Sequence, residues 1–86
     1  MQKIKNTEMN IGAVLRNMRK EHGFTQDQLV AQLYTKYGID ITRNKYSRIE
    51  TGELNIPINL LVALHQLYDC SYESFFSGLE CREIIN

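Results

Sequence analysis

Apolar residues recur along this chain at intervals of three and four positions, which is the spacing of one face of an α-helix. The alternation of apolar and polar residues that is typical of a strand is absent over any useful length. No segment has the composition of a linker, a repeat or a low-complexity tract. The pattern predicts one all-α domain of five helices, which cover about residues 11–22, 26–37, 43–51, 57–69 and 72–77.

The second predicted helix has clear start and stop signals. Thr25 is followed three residues later by Gln28, the spacing of a capping box, in which each side chain binds a free backbone N–H of the first turn. Leu29 and Leu33 give this helix an apolar face. Gly38 supplies the left-handed conformation that commonly ends a helix. These signals predict a helix that ends just before Gly38.

The third predicted helix divides into an apolar face and a polar face. Thr42 is placed to cap its first turn, and Tyr46 and Ile49 lie three residues apart on the side expected to face the core. The remaining surface carries mostly hydrogen-bond donors, which suit contact with a nucleic acid better than burial. These donors belong to Arg43, Asn44, Lys45, Ser47 and Arg48.

Length and composition restrict the class of protein. Eighty-six residues, of which 43% are hydrophobic, suffice for one compact domain with its own core. The polar start MQKIKNTEMN lacks the apolar core of a signal peptide, and the chain has no apolar run of the roughly 18 residues that a membrane span requires. We therefore expect a cytoplasmic protein with no membrane contact, in which Cys70 and Cys81 are reduced rather than joined in a disulfide.

No pattern in the sequence indicates an enzyme or a cofactor site. His22 and His65 lie far apart, and neither has metal-ligand spacing with a cysteine, so we expect no metal site. A Gly-rich phosphate loop and a nucleophile elbow are both absent. We therefore expect no catalytic residues and no cofactor.

The formal net charge is zero, which is unusual for a domain that binds nucleic acid. The charges are unevenly distributed, however. Residues 1–50 contain nine Lys or Arg and five acids, whereas residues 51–86 contain one Arg and five acids, so the halves carry +4 and −4. A polarised molecule can turn its basic side towards phosphate as it approaches DNA. A solvated charged surface without a partner is the alternative explanation.

Three blocks of sequence, in order and in spacing, resemble one protein family. The blocks are LRNMRKEHGFTQDQL, TRNKYSRIETGELNIP and LLVALHQLYDCSYESFF. Over residues 11–77 the chain resembles the phage-repressor and Cro-like helix-turn-helix proteins, the lambda-repressor-like or XRE type of bacteria and phages. The resemblance implies a compact all-α domain of five helices, whose third helix enters the major groove while the second crosses the DNA backbone. Residues 1–10 are then an N-terminal arm, and residues 78–86 a C-terminal tail that either dimerises or is disordered.

The resemblance also implies roles for the polar face of the third helix. Arg43, Asn44 and Ser47 fall where members of the family read base edges. Groove geometry favours Arg43 on a guanine and Asn44 on an adenine. Lys45 and Arg48 flank this strip, where long cations bind phosphates more often than bases.

Further positions match phosphate contacts and a structural ion pair. Gln26 matches a phosphate contact made through its side chain and through the amino end of its helix. Thr51 and Asn55 match phosphate-binding positions after the third helix. The resemblance also implies that Arg19 pairs with Glu50 beneath the recognition helix and fixes the angle between the first and third helices.

The chain departs from the family pattern between the second and third helices. The segment YTKYGIDI makes the join between the second and third helices about six residues longer than is usual for a helix-turn-helix. We therefore expect the second helix to gain about a turn, and Ile39 or Ile41 to re-enter the core. Glu53 is a separate concern, because an acid beside the predicted phosphate contacts repels the DNA backbone and is expected to weaken DNA affinity modestly.

These features favour a sequence-specific regulator of transcription that binds double-stranded DNA. We expect a repressor that binds as a homodimer to an operator with half-sites about 34 Å apart, with the tail residues Leu79, Ile84 and Ile85 as candidate dimer contacts. The alternative is a helix-turn-helix protein-interaction module, such as an antitoxin or an anti-repressor partner, with weak DNA binding. Many members of the family carry a further sensory domain, so this chain either acts without one or is part of a longer regulator.

Overall fold

The computed structural model describes residues 11–76, which form five α-helices and no strand. The predicted all-α class and the predicted order of five helices are confirmed. The predicted arm at residues 1–10 and the predicted tail at residues 78–86 lie outside the described residues. The helices are α1 (Gly12–Glu21), α2 (Gln26–Tyr37), α3 (Arg43–Glu50), α4 (Ile58–Leu67) and α5 (Glu73–Phe76).

One hydrophobic core holds the helices together. Each helix contributes apolar side chains from the face that its helical spacing defines. Burial of each large side chain contributes about 2 kcal/mol relative to exposure. Because α3 packs against both α1 and α2, its position is fixed from two sides. The largest fully buried side chains are Leu15, Leu29, Leu33, Tyr46, Leu60, Leu64 and Phe75.

The predicted caps of α2 and α3 are confirmed. At the start of α2, Oγ1 of Thr25 accepts a hydrogen bond from the Gln28 N–H at 3.1 Å, and Oε1 of Gln28 accepts one from the Thr25 N–H at 2.9 Å. At the start of α3, Oγ1 of Thr42 accepts a hydrogen bond from the Lys45 N–H at 3.1 Å. Each cap satisfies a first-turn donor and contributes about 1 kcal/mol. The two helices therefore begin at fixed points.

The connection between α2 and α3 consists of residues 38–42. Gly38 ends α2 in the left-handed conformation, with a φ of +67°, which glycine adopts at little cost. Ile41 is buried and Ile39 packs partly against the core. The prediction that this segment re-enters the core is therefore confirmed, and Ile41 anchors the connection immediately before α3.

The structure refines two predicted boundaries. α3 ends at Glu50, because Thr51 takes the C-cap position and does not continue the helix. Pro57 takes the N-cap position of α4 with a ψ of 150°, so that helix begins at Ile58 and not at the proline. A cap residue is only half inside its helix, and a pattern of apolar positions does not distinguish it from the adjoining turn.

Candidate nucleic-acid interface

α3 presents a polar face to solvent along its length. Tyr46 and Ile49, which are 0% and 3% exposed, hold the opposite face in the core. Ser47 is half-buried at the edge between the two faces. A helix with such a face fits the major groove of B-DNA, which is about 12 Å wide. The exposed polar side chains are those of Arg43, Asn44, Lys45 and Arg48.

Arg19 of α1 and Glu50 of α3 form a buried ion pair beneath this face. Nε of Arg19 donates to Oε2 of Glu50 at 2.8 Å, and Nη2 donates to Oε1 at 3.1 Å. The two side chains are only 9% and 4% exposed. Nη1 of Arg19 donates to the carbonyl oxygen of Phe24 at 2.9 Å, so the same guanidinium also holds the turn before α2. The pair therefore fixes three parts of the domain relative to one another.

The Glu50 carboxylate remains charged in this buried position. Burial by itself would raise the pKa of Glu50, but hydrogen bonds from Arg19 and Gln26 outweigh burial and hold that pKa below its ordinary value. The hydrogen bond to Glu50 raises the pKa of Arg19. Burial is the main cause that raises the pKa of the Tyr46 phenol, and the neighbouring Glu50 carboxylate raises it further. The cluster therefore contains one charged pair beside a neutral phenol.

Gln26, the predicted phosphate contact at the start of α2, belongs to the same cluster. Its Nε2 donates to Oε1 of Glu50 at 3.0 Å, and the side chain is half-buried. Because an amide nitrogen has two protons, the second N–H can donate to a further acceptor. The bond to Glu50 holds this amide at the amino end of α2, where the helix dipole favours an anion. The sequence patterns did not predict this bond.

Arg43, the first residue of α3, reaches back to α2. Its Nε lies 3.4 Å from Oδ1 of Asp27, and both side chains are largely exposed. The neighbouring residue, Gln26, contacts Glu50 at the other end of α3. The first two residues of α2 therefore contact both the first and the last residue of α3. An exposed ion pair contributes little to stability, so the Arg43 guanidinium can exchange Asp27 for another acceptor. The sequence patterns did not predict this pair either.

Two of the predicted backbone contacts meet Glu53 immediately after α3. Nε of Arg48 lies 3.3 Å from Oε1 of Glu53, and Oγ1 of Thr51 lies 3.1 Å from Oε2. The Thr51 hydroxyl also lies 3.1 Å from the carbonyl oxygen of Arg48, so its single proton serves two acceptors. Asn55 is exposed further along the same segment. Lys45 has no ion pair within the part of the chain that the structure describes.

Both histidines have structural partners. Nδ1 of His22 lies 2.8 Å from the carbonyl oxygen of Met18, and the His22 ring stacks on Tyr68 with 4.5 Å between centroids. The His65 ring stacks on Tyr72 at 3.9 Å. Between residues 11 and 76, the structure places no three His, Cys, Asp or Glu side chains together in a way that could hold a metal ion. In the same range, every helix is too short or too polar to span a membrane.

Comparison with known proteins gives a match to the family described as the helix-turn-helix domain. The match covers residues 10–73, which is more than half of the chain. It includes all of α1 to α4, and with them every position predicted to contact DNA. No curated protein and no solved structure matches the chain.

Proposed function

Because the chain belongs to the family of helix-turn-helix domains, we propose that it is a sequence-specific regulator of transcription, acting as a repressor, that inserts α3 into the major groove of double-stranded DNA. The single observation that carries the proposal is the polar face of α3, which is open to solvent while Tyr46 and Ile49 anchor the other side. A polar face that is buried in the core could not contact a DNA duplex. The polar face of α3 is exposed and held at a fixed angle, so it can make this contact.

Base reading is proposed for Arg43, Asn44 and Ser47. Residues near the amino end of a recognition helix contact base edges in this kind of complex, and Arg43 is the first residue of α3. Its pairing with Asp27 involves Nε, so the two Nη groups remain available for a forked contact with a guanine. Asn44 is exposed beside it and suits an adenine, while Ser47 follows one turn later.

Binding to the DNA backbone is proposed for residues on α3 and next to it. The amide of Gln26 is supported by the amino end of α2, and Lys45 is an exposed cation without an ion pair among residues 11–76. The remaining proposed contacts with the DNA backbone lie in the last turn of α3 and in the segment after it. They are Arg48, Thr51 and Asn55.

We also propose that two copies bind one operator. α3 has eight residues, so a single copy reads only a few base pairs. A single small module also buries less DNA surface than larger specific complexes do. A second copy on a half-site about 34 Å away raises the effective concentration of both. The predicted operator is therefore two-fold related.

Selection from a library of random duplexes tests the proposal. The protein should enrich a common, two-fold related site, and the affinity for that site should fall steeply with salt. The expected slope is about 0.9 log unit of affinity per log unit of salt for each phosphate that is neutralised. Recovery of unrelated sequences, together with a salt slope near zero, would overturn the proposal.

A second candidate function is a protein-interaction module, such as an antitoxin or an anti-repressor partner. Two observations favour it: the net charge is zero, and Arg43 and Arg48 on α3 already lie beside carboxylates. Both features lower the attraction of the domain for a polyanion. The salt experiment separates the two functions, because a domain that binds only proteins has no phosphate contacts and shows no such slope with duplex DNA.

A further inference from the structure

Glu53 contacts the end of α3 through both its backbone and its side chain. Gly52 adopts a left-handed φ of +86°, which turns the chain back along the last turn of the helix. The Glu53 N–H then donates to the carbonyl oxygen of Arg48 at 2.8 Å. One carboxylate oxygen meets the Arg48 side chain and the other meets the Thr51 hydroxyl. The local backbone therefore places this carboxylate beside two donors at once.

A DNA phosphate would present the same chemistry at this place, with two anionic oxygens on one group. Arg48 and Thr51 are the donors proposed to bind the DNA backbone. The Glu53 carboxylate contacts them at 3.3 and 3.1 Å. The side chains of Arg48 and Glu53 are 50% and 58% exposed. Solvent therefore reaches the pair, and an incoming anion can replace the carboxylate.

We propose that Glu53 lowers the affinity of this site for DNA phosphate. In the free protein its carboxylate occupies the phosphate position on Arg48 and Thr51, and there it competes with the DNA backbone. This inference rests on the proposed function, since it concerns the same site. A phosphate must displace the carboxylate before it meets either donor. Because phosphates carry no sequence information, the cost is the same for every duplex. Glu53 therefore weakens binding to random and selected DNA by one common factor.

Glu53 could weaken DNA binding by competing with phosphate for Arg48 or by repelling phosphate directly. Only the first effect depends on Arg48, so a double-mutant cycle separates the two. DNA affinity is measured for the unchanged full chain, for the Glu53→Gln and Arg48→Ala variants, and for the variant that carries both substitutions. Each protein is titrated with random and with selected duplexes. Glu53→Gln is expected to strengthen binding to both duplexes about fivefold, the upper range for an exposed ion pair.

In the Arg48→Ala background, Glu53→Gln is expected to gain less than about twofold, because the main donor in the competition has gone. Glu73→Gln removes the same charge from α5 and is the matched control, with an expected affinity close to that of the unchanged protein. An equal gain in both backgrounds would show repulsion through space and overturn the inference, as would no gain in either. Failure of the unchanged protein to bind duplex DNA would overturn the proposed function and the inference with it.

Discussion

The carboxylate of Glu50 accepts two hydrogen bonds from the guanidinium of Arg19, at 2.8 and 3.1 Å, although the two residues lie 31 positions apart in the sequence. Glu50 is the last residue of α3, and Arg19 belongs to α1. Gln26 adds the start of α2 through its own bond to Glu50 at 3.0 Å. The direction in which α3 presents its polar face therefore depends on a contact beneath that face.

Glu50→Ala is expected to lower the melting temperature by about 10 °C or more and to weaken DNA binding. The change leaves Arg19 buried without its counter-charge, and removing one partner of a buried pair costs about 3 kcal/mol. In a domain of this size, each kcal/mol corresponds to several degrees. Thermal unfolding followed by circular dichroism measures the effect, with Glu73→Ala on α5 as the control. An unchanged melting curve would contradict the structural role of the pair.

The stability of the domain is expected to fall at acid pH because of Glu50. The pKa of Glu50 is lower in the folded protein than its ordinary value, so the unfolded chain binds this proton more readily. The stabilising contribution is therefore fully present above the unfolded pKa of about 4.3 and is lost as the pH falls through the folded pKa.

Urea unfolding at a series of pH values measures this dependence as the free energy of unfolding. The unchanged protein should lose stability below about pH 4.3, whereas Glu50→Gln, which has no carboxylate to protonate, should lose less. Identical pH dependence in the two proteins would mean that Glu50 does not contribute to the acid sensitivity.

Local signals in the sequence were sufficient to predict the helices and the exposed face of α3. The capping box requires only Thr25 and Gln28, three positions apart, and the helix begins there. The polar face follows from Tyr46 and Ile49, because two apolar residues at helical spacing define which side of the helix enters the core. Such features depend on neighbours in sequence and need no knowledge of tertiary packing.

The contacts between side chains of the site depend on geometry that these local rules do not contain. The bond between Gln26 and Glu50 requires the angle at which α2 crosses α3, and no periodicity in the sequence specifies that angle. Arg48 and Glu53 are close in sequence, but they meet because Gly52 reverses the chain with a left-handed φ. The spacing between them alone is not that of a helical pair.

Gln26→Ala is expected to weaken binding to the selected site and to random duplex by the same factor, about tenfold. The proposed hydrogen bond from Gln26 to a charged phosphate would be lost in both complexes, and a phosphate contact carries no sequence information. Titration of both duplexes measures the two affinities. Gln66→Ala, which removes an exposed amide from α4, is the matched control. A change in the ratio of the two affinities would argue that Gln26 contacts bases.

Discrimination by the Arg43→Ala protein tests the central claim most directly, because that claim makes the exposed face of α3 the reader of the sequence. The measured quantity is the ratio of affinities for the selected site and for random duplex. Arg43→Ala is expected to lower that ratio by the equivalent of about 1–3 kcal/mol, whereas Lys45→Ala should weaken both affinities together and leave the ratio nearly intact. Full discrimination by the Arg43→Ala protein would contradict the assignment of base reading to this face.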